Sequence, residues 1–477
     1  MSTPPNEFIA LGDLKHRFLE RRKLLTNRET CRRVAETIRA LLAANDTQQL
    51  RRFLSEHYPA DLADAMLFLE EPEERAVFAL LDISEAAEVL DEVDTATEAQ
   101  LLQATDPERL ADILESLPAD EGADIVGGLP AASAEQVLKL TEAEKAADIR
   151  ELLAYPKDSA GGIMSPNFVA VPETATAAEA LQTFRESGSA EHLFYVYVVD
   201  ARGALAGMID LRRLLIAAPE ALIGEIATEN ITAVLPTTDQ EQVANIFARY
   251  DLTALPVIEP PPSGRLLGVI TADDIIDVIQ EELAEDVMHM AGSDVQELEK
   301  RTPAQIAVMR MPWLLTTMLV ELLAGVVIHF FDRTLARVLL LASFMPIISA
   351  ISGNTGLQSA TIIVRGLATG HIQIADWWTP VRRQVQTTLL LGGACGLLLG
   401  VIGAIWYGKW TFGVIVCVGM FIAVNIAGVV GTVVPLLSKR LGFDPALTAG
   451  PFETAFQDVV GISIFLTLAT VMMPWLL

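Results

Sequence analysis

The chain has 477 residues, too many for one compact domain, and its 62 acids against 34 bases give a net charge of −28 at pH 7. The charge is uneven, because residues 312–477 hold six acids and eight bases and residues 1–311 hold the rest. Residues 56–160 alone carry 27 acids and six bases, which excludes nucleic acid as a partner, since nucleic acid requires a basic face. The three cysteines have no spacing typical of a disulfide framework or a metal site.

The first 157 residues predict a helical domain. Residues 7–52 have a basic helical pattern, and residues 53–155 contain short apolar-periodic segments interrupted by Pro and Asp. No such segment can bury its apolar stripe alone, so we expect stacked helical hairpins in a small superhelix. The amino terminus lacks an apolar signal segment, and we therefore expect residues 1–311 to stay in the cytoplasm. The acidic surface serves either solubility or the bridging of carboxylates by divalent cations.

The periodicity changes to that of strands near Ser165, and the order strand, helix, strand, strand, helix occurs twice. The second copy includes a predicted strand at 231–236. The repeat of about 60 residues resembles a pair of CBS modules (cystathionine-β-synthase domains), at 158–226 and 227–273. The nucleotide-binding pattern of those modules matches Gly268, Thr271 and Asp274. The resemblance implies that ATP or another adenine nucleotide can bind the CBS pair through Thr271 and Asp274.

Residues 274–311 predict a connecting segment. Its first part is helical but too acidic to cross a bilayer, and a second helix is expected at about 294–311. Five apolar spans follow within 312–477, at about 312–331, 338–364, 385–407, 411–436 and 446–477. Lys and Arg in the short loops favour a cytoplasmic amino terminus and an external carboxyl terminus. The fold class is thus a mainly α membrane protein with helical and CBS domains before a five-helix transmembrane domain.

Three carboxylates lie inside the apolar spans: Glu321, Glu453 and Asp458. Each costs roughly 2.5–3.5 kcal/mol in hydrocarbon unless it faces a wet path lined by protein. Glu453 and Asp458 are about 140° apart around a helix, so we expect only one of them to point straight at a pore. Spans one, four and five contain no Lys or Arg that could neutralise these acids. The sequence therefore predicts that Asp458 lies on a cation pathway.

Polar and small residues interrupt two further spans, with Asn354, Gly356 and Gln358 in the second and Asn425 in the fourth. Such residues either allow tight helix packing or supply oxygen atoms along a pore. Asp444, just before span five, is either a helix N-cap or an acid at the inner mouth. An odd number of spans gives no complete internal repeat, which favours a pore at the axis of a homodimer.

Over essentially its full length the chain resembles the MgtE family of magnesium channels and transporters. The likeness consists of "DSAGGIMS" (158–165), the CBS pair, the acidic connector, "GNTGLQSATIIVRGLATG" and "DPALTAGPF…D". The resemblance implies a homodimer in the lipid bilayer whose second and fifth spans line a cation pore. We expect Glu453, in the fifth span, among the lining residues. It also implies that the connector helix blocks the inner mouth. The Mg²⁺-binding residues that the resemblance implies are Asp458, Asp444, Glu241, Asp251, Asp274, Asp277, Glu282, Glu285 and Asp286.

The resemblance further implies a function: passive Mg²⁺ uptake across the cytoplasmic (inner) membrane, closed when intracellular Mg²⁺ binds the acidic cytosolic domains. Asp61 and Asp64 are the candidate ligands from the helical domain. Glu321 and Glu453 depart from the family pattern, which has uncharged residues there. The alternatives are a broader transporter of Co²⁺, Ni²⁺ or Mn²⁺ and a CBS-regulated anion channel. We expect no enzyme, because no His-Glu-x-x-His motif occurs and His289, His329 and His371 are isolated in the sequence.

Overall fold

The structure, a computed structural model, describes residues 28–187, 194–294 and 302–476. Two parts of the predicted elements, residues 7–27 of the first helix and 295–301 of the connector, lie outside the described residues. The chain forms two compact units, Met1–Ile276 and Asp277–Leu477.

The first unit begins with a run of short helices. In the described residues these are α1 (Arg28–Ala43), α2 (Thr47–Ser55), α3 (Pro59–Met66), α4 (Glu71–Phe78), α5 (Ile83–Glu92), α6 (Thr95–Ala104), α7 (Pro107–Ser116), α8 (Ala119–Gly128), α9 (Ala131–Leu140) and α10 (Ala143–Leu152). Acidic N-caps begin several of them; Asp82, for example, forms a capping box with Glu85 at the start of α5. Odd-numbered helices pack on the next odd-numbered helix, and α8 packs on α10. This stacking confirms the predicted superhelical domain.

Two small α/β modules follow. The first contains β1 (Ala170–Pro172), α11 (Ala177–Glu186), β2 (Tyr195–Val199), β3 (Leu205–Asp210), α12 (Leu211–Ile216) and α13 (Ile223–Ile226). The second contains α14 (Gln240–Tyr250), β4 (Ala254–Ile258), β5 (Leu266–Thr271) and the start of α15 (Ala272–Ala291). In the first module β2 pairs in parallel with β1 and antiparallel with β3, and in the second β4 pairs antiparallel with β5.

The two modules share a core, in which Tyr197 of the first packs with Ala254, Leu266 and Val269 of the second. The strand predicted at 231–236 is wrong, because only Val234 forms a β-bridge there, to Val257. Its neighbour Pro236 lacks an N–H group and cannot extend the ladder.

The second unit holds the long apolar helices. They are α16 (Pro303–Phe330), α18 (Leu341–Ala368), α19 (Trp378–Tyr407), α20 (Trp410–Leu441) and α22 (Pro451–Val471), with the short helices α17 (Asp332–Arg337), α21 (Pro445–Thr448) and α23 (Met473–Leu476) between or after them. Five helical segments of the described chain are long and apolar enough to cross a membrane, which agrees with the predicted number. The predicted boundary at 311–312 falls inside α16, which begins at Pro303 with a capping box between Thr302 and Gln305 and continues through Pro312.

Glycines bring the membrane helices together. A Cβ atom on Gly396 or Gly400 of α19 would overlap the backbone of α20, and one on Gly431 of α20 would overlap the backbone of Gly356 in α18. Helix α22 packs against α16, α18 and α20. Small residues at these crossings allow the close helix contacts that stabilise association in lipid.

Candidate functional site

Asp458 lies two turns into α22, where α16, α18 and α22 meet. Its carboxylate is half-buried and accepts a hydrogen bond from the Ser349 hydroxyl of α18. Glu321 of α16 is half-buried, and α16 packs against α22. Among the described residues no ion pair to Asp458 or Glu321 is found, so neither acid is held by a basic partner there.

Glu453 is buried inside the membrane unit. Its side chain is only 2% exposed, and both carboxylate oxygens are buried without a hydrogen-bond partner in the described structure. The carboxyl group packs against Gly356, where a Cβ atom would collide with it. Gln457, one turn further on, is 1% exposed. In the described chain Glu453 and Gly356 are both enclosed at the crossing of α18 and α22, and their pore-lining role stays a prediction.

Asn354 and Gln358 lie four residues apart on an exposed face of α18. Their amides are presented outward from the apolar unit, as expected of residues beside water or another protein surface. Asn425 is different. Its amide oxygen accepts a hydrogen bond of 3.1 Å from Thr388 of α19, and its amide nitrogen donates one of 2.8 Å to the carbonyl of Phe421. Asn425 thus joins α19 to α20, as the packing alternative expects, and its pore-lining role stays a prediction.

Asp444 performs a capping role and makes a second contact. One carboxylate oxygen accepts a hydrogen bond of 2.8 Å from the Ala446 amide at the start of α21. The other oxygen lies 2.8 Å from Nδ1 of His289 on α15, whose Nε2 is 3.7 Å from Glu285. His289 was expected to be isolated, and that expectation is wrong. The sequence gives no signal for this contact, since 155 residues separate His289 from Asp444.

Acids of the helical domain and of the second CBS module influence one another's charge. Burial, followed by the charge of Asp274, raises the pKa of Asp120 to about 6. Burial also raises the pKa of Glu121 to about 8, with smaller contributions from Asp91, Asp120 and Asp274. The Ser165 hydroxyl donates a hydrogen bond of 3.2 Å to Asp120. Carboxylates from the two domains thus act on one another electrostatically, and this repulsion would be relieved by a dication.

Sequence reasoning named Asp61 and Asp64 as candidate ligands of the helical domain and did not single out Asp120 or Glu121. Asp61 is buried in α3, and Asp64 accepts a weak contact from the thiol of Cys31. Nothing in the local pattern distinguishes Asp120 from the other acids of this domain. The nearby acid Glu98 shows the same effect, since burial raises its pKa to about 7.

The other predicted regulatory acids are dispersed in the described structure. Glu241 is in the first turn of α14, and Asp251 ends that helix in a left-handed conformation with φ of 50°. Asp277 and Glu285 are exposed on α15, whereas Glu282 and Asp286 are half-buried. Within residues 28–187, 194–294 and 302–476, no three His, Cys, Asp or Glu side chains are close enough to hold a metal ion.

The predicted nucleotide-binding residues lie where β5 meets α15. The Thr271 hydroxyl donates a hydrogen bond of 2.6 Å to Asp274, which also accepts one of 3.1 Å from the Thr271 amide. Gly268 approaches Ser165 and Met164 so closely that a Cβ atom would lie 2.8 Å from the Ser165 carbonyl. A hydroxyl and a carboxylate are thus presented together at one helix start.

The chain is 36% identical over 448 residues to the magnesium transporter MgtE of Thermus thermophilus, covering 92% of this chain and 99% of that protein. The chain belongs to the MgtE family. The magnesium transporter MgtE of Enterococcus faecalis is 34% identical over 70% of this chain and 73% of that protein.

Matches to family descriptions divide this MgtE-family chain into segments. Residues 57–158 match the MgtE intracellular N domain, residues 160–220 and 223–281 match CBS domains, and residues 345–468 match the MgtE divalent cation transporter. A crystal structure of the cytosolic domain of the Mg²⁺ channel MgtE with ATP is 37% identical, covers 51% of this chain and 99% of that one, and has a TM-score of 0.48. The family and the five apolar helices identify a multi-pass membrane protein.

Proposed function

We propose that the protein is a homodimeric channel that carries Mg²⁺ passively into the cytoplasm and is closed by intracellular Mg²⁺. The names of relatives at 36% and 34% identity, both magnesium transporters, support Mg²⁺ as the transported ion. The Lys and Arg residues of the short loops support a cytoplasmic amino terminus and an external carboxyl terminus. The membrane potential then drives uptake, since a double charge gains roughly 4.6 kcal/mol across 100 mV.

The position of Asp458 is the main support for the pore proposal. It is a carboxylate in a membrane helix, and it has no ion pair among the described residues. Mg²⁺ loses its water reluctantly, so a pathway for it should recognise the hydrated ion through a carboxylate and polar oxygens. Asp458 and the Ser349 hydroxyl provide such a pair at the crossing of α18 and α22.

The exposed amides of α18 support a dimeric pore. Asn354 and Gln358 would be costly against lipid tails, which offer no hydrogen bonds. Two copies of α18 related by a two-fold axis would place these amides around a shared water-filled path.

Gating follows from the acids that the helical domain and the second CBS module present to each other. Without Mg²⁺, Asp120 and Glu121 repel Asp274, and this repulsion adds to burial, which is the main cause of their raised pKa values. With Mg²⁺ bound, the carboxylates of the two domains can approach. In this proposal that closure acts through α15, whose His289 contacts Asp444 at the inner end of the pathway.

A broader selectivity for Co²⁺, Ni²⁺ and Mn²⁺ is the alternative within cation transport, since those ions also bind carboxylates. An anion channel is disfavoured by the carboxylates of α16 and α22. For the CBS pair, we propose adenine-nucleotide binding through Thr271 and Asp274. The acids around Asp274 repel phosphate groups, so this binding should require Mg²⁺.

The pore proposal is tested in liposomes that contain an Mg²⁺-sensitive dye. Asp458→Asn should abolish uptake while the purified protein remains a dimer. The control is Asp332→Asn, which removes an exposed acid at the end of the first membrane span and should transport normally. Normal uptake by Asp458→Asn would refute the pore assignment.

The gating proposal is tested with internal Mg²⁺ as the variable. A triple variant with Asp120→Asn, Glu121→Gln and Asp274→Asn should keep conducting at concentrations of internal Mg²⁺ that close the native protein. If its closure were unchanged, these acids would not belong to the sensor.

A further inference from the structure

The loop between α18 and α19 ends in an aromatic pair that the rest of the described chain leaves exposed. The rings of Trp377 and Trp378 make an edge-to-face contact, with centroids 5.4 Å apart and an interplanar angle of 72°. The two residues are nevertheless 49% and 58% exposed. Tryptophan is enriched at the surface of a bilayer, where its apolar ring and its polar N–H group are both accommodated. The pair therefore indicates the depth of lipid headgroups at this end of the membrane helices.

Apolar packing fixes the loop that holds this pair. Ile372 occupies the space beside Gly366 of α18, where a Cβ atom would collide with it, and its amide donates a hydrogen bond of 2.8 Å to the Gly366 carbonyl. Ile372 and Ile374 also pack against a core that joins α18, α19 and α20. The core residues are Ile363, Leu367, Val381 and Leu436. Further on, the Thr379 hydroxyl donates a hydrogen bond of 2.8 Å to the Asp376 carboxylate. The exposed tryptophans thus stand on a well-packed base.

Two arginines follow one turn further along α19. Arg382 is four residues after Trp378 and therefore on the same face of the helix, and Arg383 is next to it. Both arginines are exposed, and among the described residues neither guanidinium has an ion pair or a hydrogen bond. Segment 365–383 holds three arginines against one acid, Asp376, so its charge is positive. Basic residues gain nothing from the helix dipole at an amino-terminal end, so the stability of α19 does not explain them.

Beyond the arginines, α19 presents an apolar stripe of membrane length. Its members are spaced by four or seven residues and are each more than half exposed. They are Leu390, Leu397, Val401 and Ile405. From Arg382 to Trp406 the helix rises about 36 Å, slightly more than the ~30 Å of bilayer hydrocarbon. When the stripe lies in hydrocarbon, Arg382 is therefore at the depth of the phospholipid phosphates.

We propose that Trp377, Trp378, Arg382 and Arg383 bind the headgroup of an anionic phospholipid, whose acyl chains lie along the apolar stripe of α19. Guanidinium groups bind phosphate oxygens through paired, charge-assisted hydrogen bonds. A zwitterionic lipid carries its own ammonium beside the phosphate and offers no net charge to two arginines, so the site should prefer an anionic lipid. Arginines anywhere in this loop would suffice to orient the helices, but orientation does not require an aromatic pair on a packed base. The inference does not depend on the transported ion.

The experiment uses native mass spectrometry to measure the lipid that the full-length protein retains in detergent micelles. The probes are phosphatidylglycerol, which is anionic, and phosphatidylcholine, which is zwitterionic. The native protein should fill its tightest lipid site at a lower concentration of phosphatidylglycerol than of phosphatidylcholine. Arg382→Gln with Arg383→Gln should raise the half-saturating phosphatidylglycerol concentration by about thirtyfold, about fivefold for each arginine, and should leave phosphatidylcholine nearly unchanged. Trp377→Leu with Trp378→Leu should weaken both lipids, because it removes the ring anchors but no charge.

The matched control is Arg333→Gln with Arg337→Gln. It also removes two exposed arginines of the membrane unit, but these precede the start of α18, whereas the loop follows its end. The control should retain phosphatidylglycerol as the native protein does. Where the double variant at 382 and 383 does not fold, each single variant should still show its fivefold share.

Four results would overturn the lipid site. The first is equal affinity of the native protein for the two lipids, and the second is unchanged phosphatidylglycerol binding after loss of Arg382 and Arg383. The third is displacement of the lipid by glycerol 3-phosphate at the lipid's own concentration, which would identify a site for a soluble anion. The fourth is a change in oligomeric state of the folded variant, which would assign this face to a second copy of the chain. None of these results bears on uptake through Asp458, so the proposed function stands or falls separately.

Discussion

Closure by Mg²⁺ should depend strongly on pH because protons compete for the same carboxylates. The pKa of Asp120 is raised to about 6 and that of Glu121 to about 8, with burial as the main cause of both shifts. At pH 7 the pair therefore holds about one proton, and at pH 6 about one and a half. A dication binds the deprotonated carboxylates and must release these protons.

The size of the effect follows from the number of protons released. If Mg²⁺ displaces every proton from Asp120 and Glu121, its apparent affinity rises about hundredfold between pH 6 and pH 8. Most of this change comes from Glu121, whose pKa lies inside the window. The Mg²⁺ concentration that closes the protein should fall by the same factor.

The assay measures how well Mg²⁺ protects the full-length protein from protease. The Mg²⁺ concentration is titrated at pH 6, 7 and 8. Calorimetry in two buffers with different ionisation enthalpies counts the released protons independently. The variant Asp120→Asn with Glu121→Gln should show a nearly flat pH profile. A shift of less than threefold between pH 6 and 8 in the native protein, without proton release, would refute the reasoning.

Three further predictions follow from the packing and charges. Without Mg²⁺, the first unit (Met1–Ile276) should become more sensitive to protease as pH rises from 5 to 8, because the raised pKa of Glu121 favours folding at low pH and that stabilisation is lost as the group ionises. Gly431→Ala should destabilise the membrane unit by about 1–3 kcal/mol, measured as a lower thermal midpoint in detergent, since its Cβ would overlap the Gly356 backbone; Gly393→Ala, where the Cβ meets nothing within 4 Å, is the control and should be neutral. His289→Ala should increase Mg²⁺ flux at high internal Mg²⁺ because it removes the 2.8 Å contact with Asp444, and unchanged closure would contradict this role.

The spans and modules of the chain can be predicted from its sequence, but the contacts between distant helices cannot. Apolar runs of membrane-spanning length and the repeated strand–helix order identified five spans and the CBS pair, because those features depend on local composition. Asp458 could be singled out since a carboxylate is rare in an apolar span. Glu321 is recognised in the sequence as a departure, but the packing of its helix on α22 joins two segments far apart along the chain and has no local signal.

The acids of the proposed sensor are harder to predict for a related reason. Residues 56–160 contain so many carboxylates that no single one is distinctive in the sequence. Asp120 and Glu121 combine burial with the charge of Asp274, and this combination depends on how two domains pack. Asn425 is ambiguous for a different reason, because an amide in a membrane helix is equally suited to packing and to a pore, and the sequence has no signal for its hydrogen bond from Thr388.

Gly356 touches two other helices at once, with Gly431 of α20 against its backbone and the Glu453 carboxyl against its Cα. If α18 slid along its axis, a residue with a larger side chain would replace Gly356 at this crossing. That side chain would collide with Gly431 or with Glu453. The three helices must therefore travel together, and any opening of the pathway is a displacement of whole bundles against each other. Mutational freedom at position 356 should accordingly be among the lowest in the membrane unit, although this glycine need never touch an ion.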